Sequence, residues 1–147
     1  MPQYNQTSEQ ALLLSEGLLL PVRIDVPGAV VMFPRLAGAR TTESITGRAL
    51  VDTGAESTCI RRATLRDLGA LFLRWGTAHT AGGRIEQGLY LVSFSVPALD
   101  AHFDPARVPE VNLDGYPEDV IAIIGRDLLS RWTLTWNGPD GAWSVST

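Results

Sequence analysis

From Leu18 to Val26 apolar residues fall on every second position: Leu18, Leu20, Val22, Ile24 and Val26. Short segments of this kind, separated by glycines and prolines, can bury one face only as strands, and they commit the chain to a mainly β fold. Pro27-Gly28 reads as a turn, with Ala29 to Phe33 as the return strand of a hairpin and Pro34 to Thr42 as a loop. A further strand, Ser44 to Val51, runs directly into Asp52. Phe72 to Thr80 and Arg84 to Val96 read as two strands joined by the tip Ala81-Gly82-Gly83. Val120 to Ile124 is a continuous apolar run of strand length, and Thr133–Trp136 with Ala142–Val145 forms a closing hairpin. Two short helices interrupt the strands. One follows Ile60, Leu65 and Leu68 and stops at Gly69; the other runs from behind Gly125 toward Trp132. Pro97 to Pro117 carries Asp100, Asp104, Glu110 and Asp114 among prolines and reads mostly as surface loop, with room for one short strand. Residues 1–16 are expected to be a flexible tail and residues 17–147 one domain, because no repeat or shift in composition marks a second boundary.

Charge narrows the function. All 12 basic residues are Arg, Lys is absent, and the net charge is −4. A chain without Lys has no Schiff-base, P-loop or ammonium-base chemistry. An acidic chain with no basic run lacks the electrostatic footprint for nucleic acid or an anionic membrane. One cysteine, Cys59, excludes an internal disulfide and a cysteine-based zinc site. The apolar stretch Ala11–Val22 is broken by Ser15, Glu16 and Gly17 and has no basic residue before it, so the expected location is cytoplasmic.

The chemistry-bearing residues lie in two distant segments, Leu50-Val51-Asp52-Thr53-Gly54-Ala55-Glu56 and Ile123-Ile124-Gly125-Arg126-Asp127-Leu128. Asp52 ends an apolar strand, which implies partial desolvation of its carboxylate, and Gly54 lets a ligand backbone approach closely. Alone, Asp-Thr-Gly is equally a turn that ends a strand. Cys59 reads as a small buried thiol, because no base stands beside it in sequence. His79 and His102 read as solvated loop residues, Arg61-Arg62 as a solvated pair beside a helix, and the acidic segment Asp100–Asp119 as surface. The acidic spacing is too sparse for calcium, and no metal or other cofactor is expected.

Taken together, apolar-apolar-Asp-Thr-Gly-Ala, a glycine-containing hairpin beyond it, and Ile-Ile-Gly-Arg-Asp before a short helix resemble the retropepsin family. These are the single-domain aspartic proteases of retroviruses and their cellular and bacterial relatives. The resemblance runs from about Gly17 to the C-terminus and implies a mainly β, retropepsin-like acid-protease barrel with two short helices and one domain per subunit. It makes Asp52 the catalytic carboxylate, with Thr53, Gly54 and Ala55 supporting the active-site loop. Gly54, Glu56 and the flap tip Ala81-Gly82-Gly83 would meet substrate. Glu56 and Arg126 would form a buttressing ion pair.

The family's hydrolysis needs two carboxylates, one to take a proton from water and one to donate to the carbonyl oxygen. At about 3 Å apart such a pair shares one proton. The sequence holds a single Asp-Thr-Gly. The second carboxylate is therefore expected from another copy, in a two-fold homodimer acting on a peptide or protein substrate. A catalytically silent peptide-binding or dimerisation module is the alternative, and a cysteine hydrolase using Cys59 a remote third.

Overall fold

The computed structural model describes residues 1–33 and 44–147, so the loop expected over Pro34–Thr42 lies outside the described residues. Ten strands and four short α-helices follow in the order β1 (Gln3–Thr7), α1 (Gln10–Glu16), β2 (Leu19–Asp25), α2 (Gly28–Met32), β3 (Ile45–Val51), β4 (Cys59–Arg61), α3 (Arg62–Leu68), β5 (Leu71–Thr80), β6 (Gly83–Val96), β7 (Ala101–Val111), β8 (Val120–Ile124), α4 (Arg126–Leu129), β9 (Thr133–Asn137) and β10 (Ala142–Ser146) among the described residues. The larger sheet has the order β2-β3-β8-β4-β7-β6-β5, and a further β2–β6 pairing closes its first six strands into a ring. Strand β5 stays outside that ring and pairs with β6 as a long hairpin. A second sheet, β1-β10-β9, joins the chain's two ends.

The period-two reading of β2 holds: Leu18, Leu20, Val22 and Ile24 are all buried. They share one core with Ala49 and Val51 of β3, Phe94 and Val96 of β6, Ile124 of β8, and Trp143 and Val145 of β10. Helix α3 packs Leu65 and Leu68 into the same core and ends at Gly69 in the left-handed region (φ 69°), as a glycine stop requires.

Several expectations fail. Residues 1–16 are not a loose tail, since β1 pairs along its length with β10 and Tyr4 packs 5.4 Å from Trp143. Ala29–Phe33 is no return strand; Gly28–Met32 is helical, with the Val30 and Val31 amides bonded to the Pro27 carbonyl. The Pro97–Pro117 segment is not mostly loop but holds the 11-residue strand β7. Pro105 falls where the register shifts, Val92 facing Ala106 and Phe94 facing Phe103, so its missing N–H coincides with an interruption of the ladder. Arg61 and Arg62 are not simply solvated. Arg61 donates to the Val120 carbonyl at 2.8 Å and the Pro117 carbonyl at 2.8 Å, and Arg62 pairs with Glu110 at 3.1 Å.

Glu110 is the buried exception in a segment expected to be surface. It is only 4% exposed, and its Oε1 also accepts from the Gly88 amide at 3.0 Å. One carboxylate thus ties the start of α3 to the base of the β5–β6 hairpin. Glu110→Ala strands the buried Gly88 donor and is expected to cost about 1–3 kcal/mol. Glu110→Gln keeps a carbonyl acceptor and should cost less. Urea denaturation of the two variants checks this order.

Candidate active site

Strands β3 and β8 lie side by side and parallel, with Val51 opposite Ile124. Parallel neighbours end at the same edge, so Asp52 and Gly125 emerge together although they are far apart in sequence. The Asp52 amide closes the junction by donating to the Ile124 carbonyl at 3.0 Å. Beyond it the chain turns tightly: the Gly54 amide donates to Asp52 Oδ1 at 2.8 Å, and the Ala55 amide to the Asp52 carbonyl at 3.2 Å. Asp52 is half-buried, Thr53 and Gly54 are exposed, and the Thr53 hydroxyl has no partner among the described residues.

The loop is braced from the Gly125–Leu128 side. The amides of Arg126 and Asp127 donate to the carbonyls of Ala55 and Glu56 at 2.9 and 3.1 Å. Arg126 Nη1 reaches the carbonyls of both Thr53 and Gly54 at 2.9 Å. The expected Glu56–Arg126 ion pair is absent among the described residues, and Glu56 is exposed. A guanidinium satisfied by two main-chain oxygens holds the loop through its backbone, independently of the residue at 56.

The buttressing carboxylate is Asp127, which the sequence reading passed over. Its Oδ1 accepts from the Thr58 amide at 3.0 Å, the Thr58 hydroxyl at 2.8 Å and the Leu128 amide at 2.9 Å, while its Oδ2 lies 3.0 Å from the Thr58 amide. The Thr58 hydroxyl in turn accepts from the Gly125 amide at 3.2 Å. The available signal was a carboxylate two residues behind Gly125 and a threonine six behind Asp52, each next to a turn with main-chain donors to satisfy. Asp127→Ala removes the acceptor from three donors around the 4%-exposed Thr58 and is expected to cost about 2–4 kcal/mol. A lowered midpoint of thermal unfolding, with loss of any activity that depends on Asp52, is the expected result.

Cys59 follows directly. Its thiol donates to the Ser57 carbonyl at 3.2 Å, and burial, with the charges of Asp127 and Asp52 adding to it, pushes its pKa from 9.0 up to about 11. A thiol held protonated in this way is a poor nucleophile at neutral pH. The folded chain keeps that proton between pH 9.0 and about 11, where the unfolded chain releases it. The stabilisation is therefore complete below pH 9.0 and is lost as pH rises through about 11. Urea titrations across that window should show the stability advantage of wild type over Cys59→Ala shrinking as the pH rises.

The hairpin tip Ala81-Gly82-Gly83 is fully exposed, turned by the Thr80 hydroxyl, which donates to the Gly83 carbonyl at 2.9 Å and accepts from the Gly82 amide at 3.2 Å. Among the described residues no hydrogen bond joins this tip to the Asp52 loop. His79 is exposed on the same hairpin, and His102 shares a 2.9 Å hydrogen bond with Ser95. Among the described residues no helix is long and apolar enough to cross a membrane, and no group of three His, Cys, Asp or Glu could hold a metal ion.

No curated protein matches the chain. Among solved structures, the EIAV protease complexed with the inhibitor HBY-793 matches at 22% sequence identity with a TM-score of 0.41, over 58% of this chain and 76% of that one. Residues 38–128, which include both Asp52 and the Gly125–Leu128 brace, match the family described as aspartyl protease. With well over half of its length inside that match, the chain belongs to the aspartyl protease family.

Proposed function

We propose that the chain is an aspartic endopeptidase whose active site forms when the Asp52 carboxylates of two copies meet across a two-fold axis. The observation that carries this reading is that Asp52 has no carboxylate partner among the described residues. The neighbouring carboxylate, Asp127, is consumed by Thr58 and Leu128. One ionised carboxylate takes a proton from water while the other, protonated, donates to the scissile carbonyl oxygen. The resulting tetrahedral adduct collapses with proton transfer to the leaving amine, and the pair recovers its single shared proton. The exposed Thr53 hydroxyl, without a partner among the described residues, is available to the opposite loop, and the glycine-tipped hairpin is available to cover an extended peptide and exclude water.

The test is cleavage of a peptide library across pH at increasing protein concentration, with sedimentation in parallel. Specific activity that rises with the dimer fraction supports the reading. Cleavage by a strictly monomeric protein contradicts it. A stable dimer that never cleaves favours a peptide-binding module.

A further inference from the structure

The inner face of the β5–β6–β7 layer carries a recess of about 260 Å³ beside the active-site loop, lined by Arg74, Gln87, Leu89, Arg107 and, from the loop side, Ser57 and Asp127. The register explains the grouping. Arg74 lies opposite Leu89, and Leu89 opposite Pro109, while Gln87 and Arg107 sit two positions along their own strands and so share that face. Both guanidiniums are exposed, and among the described residues neither has an acidic partner. Arg74 makes one 3.4 Å bond to the carbonyl of its neighbour Trp75, and Arg107 makes no hydrogen bond or ion pair among the described residues. The recess's acid, Asp127, already holds the Thr58 hydroxyl and the amides of Thr58 and Leu128. In a chain of net charge −4, two uncommitted arginines facing one small recess are an anomaly with a direction.

We propose that Arg74 and Arg107 form a specificity pocket for an acidic substrate side chain, Asp or Glu, a few residues from the cleaved bond. This rests on the protease reading above and adds the substrate class to it. An extended peptide running past Asp52 turns alternate side chains toward the hairpin's inner face, and a carboxylate there can accept from two guanidinium forks. Ser57 and Gln87 supply the neutral hydrogen-bonding groups of the wall. The volume suits a short acidic side chain, and a Lys or Arg side chain would meet two like charges against the single carboxylate of Asp127.

The test uses a fluorescent peptide series identical except for Glu, Gln or Lys at one scanned position. It is read twice, as cleavage by the wild type and as binding by Asp52→Asn. At the position that reaches the recess, Glu should be preferred over Gln by about tenfold at low salt, with the preference shrinking as salt is added. Arg74→Glu with Arg107→Glu should invert the order to favour Lys, while Arg66→Gln, on the outer side of α3, should leave it unchanged. Equal use of Glu and Gln at every position, or a Glu preference that survives the double charge reversal, overturns the proposal. The two readouts separate its failure from that of the protease reading. An inert enzyme that still binds Glu peptides preferentially keeps the pocket and loses the protease. An active enzyme indifferent to charge does the reverse.

Discussion

Asp52→Asn should leave a folded protein that cuts no peptide, with a fall in kcat/KM of about 10³-fold or more. The amide side chain keeps an oxygen for the Gly54 amide, which donates to Asp52 Oδ1 at 2.8 Å, so the loop retains its turn. The stability change is expected to stay below about 1 kcal/mol. On the proposed mechanism, what disappears is the ionisable group that exchanges a proton with water and substrate, and in a symmetric enzyme it disappears from both subunits at once. Peptide-cleavage assays alongside thermal unfolding check the two halves of this expectation together. Cleavage that persists in this variant, or that thiol alkylation stops in the wild type, contradicts the assignment. The protonated state of Cys59 argues against the second outcome.

Gly125→Ala should do the opposite and remove fold and site together. A β-carbon built there lies 2.5 Å from the carbonyl carbon of Ser57 and 2.7 Å from its oxygen. Main chain of a loop already bonded to Asp127 and Arg126 cannot yield as a flexible side chain would. The expected cost is about 3 kcal/mol or more, with loss of cleavage because the Asp52 loop and the Gly125 turn are forced apart. Gly82→Ala is the stability control, as its added carbon meets only the Thr80 hydroxyl at 3.7 Å. Denaturant midpoints should separate the two alanine variants clearly. Similar midpoints would mean that the packing of these two turns does not hold the site.

The contrast between these two glycines shows what the sequence could and could not convey. Apolar patterning placed β2, β3 and β8 within a residue or two, because each has a buried face, whereas β5, which buries no residue, was legible only through the glycine tip that joins it to β6. The Gly-Arg-Asp segment was recognisable as a partner of Asp-Thr-Gly, but which atoms do the joining was not. Arg126 turns to main-chain oxygens rather than to Glu56, and the bracing carboxylate belongs to Asp127. Choices of that kind depend on which donors the fold leaves unsatisfied, and they appear only once β3 and β8 stand side by side. Strand β1, Gln-Tyr-Asn-Gln-Thr, was invisible because its pairing with β10 is made by backbone and its side chains are mostly polar. Strand β7 was hidden by its prolines and acids, one of which, Glu110, is buried by contacts distant in sequence. Helix α2 shows the reverse error, since Ala-Val-Val looks like strand until Pro27 starts a helical turn.

Mixing wild-type protein with increasing fractions of Asp52→Asn, allowing subunits to exchange, and following cleavage at constant total concentration puts the two-copy site to the most direct test. If each competent centre needs two intact carboxylates, activity falls with the square of the wild-type fraction, to about a quarter at equal amounts. A straight-line fall to one half would mean that each Asp52 acts independently of a partner copy, and would contradict the account.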